Sequence, residues 1–202
     1  LAREHQITHL LRYPTEEIAK SLEKEKERIV QILVKHIHQK NQTIILEESS
    51  SQVSDLPRKI EKTDSLENKR KRLYNHRPYL FAIGASTGGV QAIIAILDAL
   101  PKVIPPTVIT IHMPENFTCK FAAQLGVRFP YWSVQEAKEG EILGVNDIRI
   151  APGGRHLTIG LEQRKIQTHL NSEEKMNGHR PSVDIMFDSI AESCGRYSFA
   201  CL

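Results

Sequence analysis

Tyr79-Leu80-Phe81-Ala82-Ile83-Gly84-Ala85-Ser86-Thr87-Gly88-Gly89 opens the part of the chain whose fold reads most directly. A short apolar run ends in small residues, and residues 90–100 continue as an apolar helical stretch interrupted by Asp98. Such a run before a glycine-rich turn reads as a buried strand, and the stretch after the turn as a helix. Pro105-Pro106 then punctuates the chain. Thr107-Val108-Ile109-Thr110-Ile111 reads as a second buried strand, ending in His112-Met113-Pro114. Asn116 or Thr118 is placed to cap the next helix, which runs through Phe121, Ala122 and Leu125. Strand, helix, strand, helix in this order predicts a parallel sheet with right-handed crossovers, whose active groups gather at the strands' carboxyl ends. Residues 147–151 and 157–160 read as further short strands around the turn Pro152-Gly153-Gly154, and residues 165–170 as another. The expected fold class is therefore α/β: a doubly wound, mainly parallel sheet with flanking helices in three layers, Rossmann-like.

Toward the N-terminus the composition changes. Ile18, Leu22, Ile29, Ile32, Leu33 and Ile37 recur at helical intervals after Thr15 and the acidic pair Glu16-Glu17, which predicts a capped amphipathic helix over residues 15–38. Residues 41–77 are polar, with Ser49-Ser50-Ser51 and the basic run Lys69-Arg70-Lys71-Arg72, and read as a linker. The expected organisation is an amphipathic helix within residues 1–40, a linker over 41–78 and the main domain over 79–202. The first residues carry no initiator Met and no signal-peptide pattern, so the start reads as a cut end.

The bulk numbers exclude several classes. A formal charge of +3 is small, and a four-residue basic run is more often a solvated face than a nucleic-acid contact. No nucleic-acid partner is expected. The longest apolar stretch falls far short of the roughly 20 residues a membrane span needs, so no membrane insertion is expected. Cys119, Cys194 and Cys201 form neither an even set nor a CxxC pair, which suits a reducing cytoplasm. His36 and His38 sit two apart on the predicted helix, where side chains do not converge as metal ligands would.

Gly84-Ala85-Ser86-Thr87-Gly88 matches G-x-S-x-G, in which small residues let a strand turn sharply into a helix and expose the serine. The backbone N–H of Thr87, at the start of the helix, is placed to meet an oxyanion formed at Ser86. A serine hydroxyl needs a base, and histidine is the side chain best tuned for that near neutral pH. His112 ends the next predicted strand, so on neighbouring strands roughly 5 Å apart both side chains emerge at the same sheet edge. Each signal has a plainer alternative. The glycine turn alone fits a phosphate cradle or a bare strand–helix connection, although neither a Walker Gly-Lys-Ser/Thr nor G-x-G-x-x-G is present. His112 alone fits a hydrogen-bonded structural residue.

The string Ile83-Gly84-Ala85-Ser86-Thr87-Gly88-Gly89 resembles the nucleophile segment of the chemotaxis protein-glutamate methylesterases, the CheB family. Three further segments agree in order: Ile111-His112-Met113-Pro114 with Phe117-Thr118, Ile150-Ala151-Pro152-Gly153-Gly154-Arg155-His156-Leu157, and His179-Arg180-Pro181-Ser182-Val183-Asp184. The resemblance covers about residues 79–202. It implies a cytoplasmic hydrolase with Ser86 as nucleophile and His112 as general base, then acid. The implied substrate is a glutamate methyl ester on the cytoplasmic helices of methyl-accepting chemoreceptors, with methanol released and glutamine deamidation by the same chemistry. Neither cofactor nor metal is implied.

Met113, His179 and Arg180 are candidate substrate-binding residues, the last two equally placed to anchor a loop. The family's triad aspartate comes after a strand resembling Tyr197-Ser198-Phe199-Ala200-Cys201-Leu202, and the expectation is that this chain stops before it. Asp184 reads instead as an acidic residue in the first turn of the helix containing Ile185, Met186, Phe187 and Ile190. A regulatory receiver domain precedes the esterase in the family, and Arg12-Tyr13-Pro14 with the helix after it resembles its tail. The alternatives are a catalytically inactive regulatory or binding module that keeps the fold, and a phosphate or nucleotide binder using residues 84–89.

Overall fold

The computed structural model of the chain describes residues 10–11 and 79–202. The helix expected over 15–38, the linker over 41–77 and the basic run within it lie outside the described residues. The strands and helices in chain order are β1 (Leu10–Leu11), β2 (Leu80–Ala85), α1 (Gly89–Ala99), β3 (Thr107–Ile111), α2 (Glu115–Arg128), β4 (Ser133–Glu136), β5 (Ile142–Leu143), β6 (Asp147–Ile150), β7 (His156–Glu162), β8 (Lys165–Asn171), α3 (Val183–Ser193) and β9 (Ser198–Cys201). A single 3-10 turn, Gly195–Tyr197, leads into β9.

Six strands form one sheet in the order β1-β9-β2-β3-β6-β4, all neighbours parallel. The two runs from which a parallel pair was expected are side by side, with Ala82 opposite Val108 and Ala85 opposite Ile111. Both are buried along almost their whole length, because a parallel sheet is covered on both faces. Alternate side chains divide between two cores. Phe81, Ile83, Ile109 and Ile111 pack with Ile93 and Leu97 of α1 and with Phe121 and Leu125 of α2. Leu80, Ala82 and Val108 pack with Met186, Phe187 and Ile190 of α3 and with Leu157 and Ile159 of β7. At about 1.5–3 kcal/mol for each fully buried side chain, these two layers supply the main driving force for the α/β fold.

One detail goes beyond expectation and one departs from it. The strands over 157–160 and 165–170 exist, as β7 and β8, but they form a hairpin that joins β5 in a separate antiparallel sheet beside α3. Neither Asn116 nor Thr118 caps α2, which begins at Glu115 directly after Pro114. The proline ring fixes its own φ at −59°, and its carbonyl accepts from the N–H of Phe117 at 2.9 Å, so the turn starts without a side-chain cap. Thr118 is buried instead. Its hydroxyl donates to Glu136 Oε1 at 2.5 Å and accepts from the N–H of Gly153 at 3.0 Å, tying α2 to the turn after β6. At α3 the cap is Ser182, whose hydroxyl accepts from the N–H of Ile185 at 3.4 Å.

Candidate active site

The register that pairs Ala85 with Ile111 makes Ser86 and His112 the next residue of each strand at the carboxyl edge of the sheet. The N–H of His112 donates to the carbonyl of Ala85 at 3.1 Å, which extends the ladder one step and fixes the two residues side by side. Their side chains meet: His112 Nδ1 lies 3.1 Å from Ser86 Oγ. For Nδ1 to accept the serine proton, the imidazole's own proton sits on Nε2.

The turn that exposes Ser86 is tight. The N–H of Gly89 donates to the carbonyl of Ser86 at 2.8 Å, and Gly88 adopts φ 77°, a left-handed conformation that glycine enters without penalty. Helix α1 starts immediately afterwards, with no acidic residue in its first turn and no side-chain cap. Thr87 is exposed, and its N–H has no acceptor among the described residues. The start of a helix carries positive potential, so this turn favours negative charge next to the serine hydroxyl. Ser86, Thr87 and His112 open on a cleft of about 480 Å³ that extends along Ile93 and Ile96 of α1 and reaches Cys201 and Asp184.

His112 is half-buried. Burial first, then the neighbouring His179, hold its imidazole below the ordinary value of 6.5, while the charge of Asp184 opposes them. The ring is thereby kept neutral around pH 7, the form in which it accepts a proton. Asp184 lies in the first turn of α3 and accepts from Asn177 Nδ2 at 3.0 Å. It makes no hydrogen bond to His112. Among the described residues His112 has no carboxylate partner, Ser86 being the one side chain hydrogen-bonded to its ring.

His179 is stacked on His112, with ring centroids 3.7 Å apart and planes 7° from parallel. The two rings share a hollow of about 300 Å³ with Met113 and Arg180. Met113 also packs against the core beneath the sheet edge. Arg180 anchors its loop: Nη1 donates to the carbonyls of Ser172 and Glu173, both at 2.9 Å.

Sequence reasoning assigned no separate task to one buried residue, His156. It opens β7, where its Nδ1 accepts from the N–H of Ser182 and its Nε2 donates to the carbonyl of Glu174, each at 3.1 Å. It clamps both ends of the loop that carries His179. The only signal in the sequence is its place after the Gly153-Gly154-Arg155 turn.

A parallel α/β sheet with a serine and a histidine in contact at its carboxyl edge is the framework of α/β serine hydrolases. A family model described as CheB methylesterase matches residues 81–202, and the chain belongs to that family. It is 46% identical over 121 residues to protein-glutamate methylesterase/protein-glutamine glutaminase 2 of Shewanella oneidensis, covering 60% of this chain and 34% of that protein. Over 116 residues it is 50% identical to protein-glutamate methylesterase/protein-glutamine glutaminase of Agrobacterium fabrum, covering 57% of this chain and 32% of that one. The CheB methylesterase catalytic domain of Thermotoga maritima, known from a crystal structure, superimposes with a TM-score of 0.58 at 35% identity, over 60% of this chain and 65% of that chain. The chain spans about a third of the length of the curated relatives it matches.

Proposed function

We propose that the chain carries the nucleophile and base of a protein-glutamate methylesterase, acting on glutamate methyl esters of methyl-accepting chemoreceptors. The observation that carries this reading is the 3.1 Å contact between Ser86 Oγ and His112 Nδ1 beside an uncapped helix start. Ser86 Oγ attacks the ester carbonyl carbon while its proton passes to His112 Nδ1. The carbonyl oxygen becomes an oxyanion facing the N–H of Thr87 and the first turn of α1. The intermediate collapses by breaking the bond to methoxide, which takes the proton from His112 and leaves as methanol. Water, deprotonated by His112, then attacks the Ser86 acyl ester; the acyl–Oγ bond breaks, His112 returns its proton to Ser86 Oγ, and the glutamate carboxylate leaves. With a glutamine substrate the same steps expel ammonia, in keeping with the second activity in the relatives' names.

The cytoplasmic helices of a receptor place the reaction in the cytoplasm, and among the described residues no helix is long and apolar enough to cross a membrane. Met113, beside His112, is the candidate to touch the substrate's flanking surface. Control by a receiver domain belongs to the same proposal. The rival reading is an inactive module that keeps the fold.

Methanol release from methylated receptor, compared between the protein and Ser86→Ala, decides between the two. Loss of release in the variant supports the esterase; equal rates reject Ser86 as nucleophile.

A further inference from the structure

An imidazole on a half-exposed edge has a soft ring torsion, and a general base works only when the nitrogen lone pair points at the proton it takes. Against the His112 ring lies that of His179, at 3.7 Å and nearly parallel. We propose that His179 is a positioning residue for the Ser86–His112 pair, its stacked imidazole holding the plane of His112 so that Nδ1 faces Ser86 Oγ. This rests on the esterase reading and goes beyond it by giving a task to a residue whose stack is on His112.

The loop bearing His179 is built to be rigid. Met176 and His179 exchange backbone hydrogen bonds at 3.2 and 3.0 Å, Arg180 holds the carbonyls of Ser172 and Glu173, and His156 grips Glu174 and Ser182. A ring at the tip of an unpinned loop would exert little control over its neighbour. Here three parts of the fold hold the loop: β7 through His156, the residues just after β8 through Arg180, and the start of α3 through Asn177 and Asp184.

The stack has an electrical consequence too. The titratable and charged groups around His112 are His179 across the stack and Asp184 on α3, with Lys175 and Arg180 sharing the smaller hollow. A second cation on His112 is opposed by His179, so the pair favours the neutral base. Replacing His179 by a neutral ring keeps the stack and removes the repulsion; removing the ring loses both.

The test compares His179→Phe and His179→Ala with the unsubstituted protein. It measures the rate at which a fluorophosphonate modifies Ser86 as a function of pH, and tracks the His112 imidazole resonances by NMR over the same range. In both variants the acid limb and the His112 titration should move to higher pH. Well above that limb, His179→Ala should react about tenfold more slowly, as expected for a displaced catalytic group, and His179→Phe should recover most of the loss. A residue that merely supported the fold would lower the rate without moving the limb. If both variants stay within about twofold at every pH, or both lose rate equally with the limb unmoved, the proposal is overturned. Should Ser86→Ala retain full methanol release, the esterase reading falls, while the NMR titration of His112 still decides whether His179 acts on it.

Discussion

Gly89→Ala should damage the site through one methyl group. A Cβ built on Gly89 falls 2.6 Å from the Cβ of Ala85 and 3.3 Å from Cδ1 of Ile111. The isoleucine methyl can rotate away, but the Ala85 Cβ is fixed to the strand and cannot. Ordinary carbon contacts begin near 3.5 Å, so the end of β2 and the start of α1 must separate by about 1 Å. Overpacking of this kind costs about 1–3 kcal/mol, offset in part by up to about 1 kcal/mol from alanine's better helix propensity. A net loss of about 1–2 kcal/mol corresponds to a fall in Tm of roughly 2–8 °C for a fold of this size. Ser86 lies between the two residues forced apart, and a displacement of about 1 Å at a nucleophile lowers the rate by about 10²-fold. Thermal unfolding monitored by circular dichroism, together with fluorophosphonate modification of Ser86, reads both effects. Wild-type Tm and wild-type reactivity in Gly89→Ala would refute the claim that close packing of α1 on β2 sets the serine's position.

Because burial and His179 depress the His112 imidazole, catalysis should be complete at neutral pH and decline only as pH falls below 6.5 through the lowered value. Across that window the unfolded chain takes up a proton that the folded chain refuses, so conformational stability falls as pH drops; a rate profile with its acid limb above 6.5 would contradict this. Arg149 is buried, with Nε and Nη2 on Glu141 Oε1 at 2.8 and 2.7 Å and Nη1 on the carbonyl of Ser133 at 2.6 Å. Burial pushes the Glu141 carboxyl up, and Arg149 outweighs it so that the group stays below its ordinary range. Arg149→Ala strands that carboxylate and should lose about 3 kcal/mol in urea unfolding. In the native protein iodoacetamide should label Cys119, which is exposed, and leave Cys194 and Cys201, whose thiols burial pushes up to about 11 and about 12; peptide mass mapping reads the difference.

Whether an element was legible in the sequence depended on how local its signal is. Residues 79–89 encode strand, turn and helix within eleven positions, and the two apolar runs are long enough to mark buried parallel strands, so the adjacency of Ser86 and His112 is written in the chain itself. β4 was not legible: in Ser133–Glu136 only Val134 is buried, too little for a pattern. The two residues of β5 carry still less. That β7 and β8 leave the main sheet depends on pairing with β5, which no local period reports. Pro114 took the start of α2 from Asn116 and Thr118 because its φ is already fixed, whereas Thr118 is used by Glu136 and Gly153. His179 was marked as a surface residue of the site, but its stack on a ring 67 positions earlier is created by folding, as is the grip of His156 on the loop beneath it.

The central claim is that Ser86 and His112 share a proton at the sheet edge. A fluorophosphonate reacts only with an activated serine hydroxyl, so peptide mapping after its reaction, in the protein and in His112→Gln, tests it most directly. Modification on Ser86, slowed by about 10²-fold or more without the imidazole, is the expected result. Modification at another serine, or at Ser86 with the same rate in His112→Gln, would contradict it.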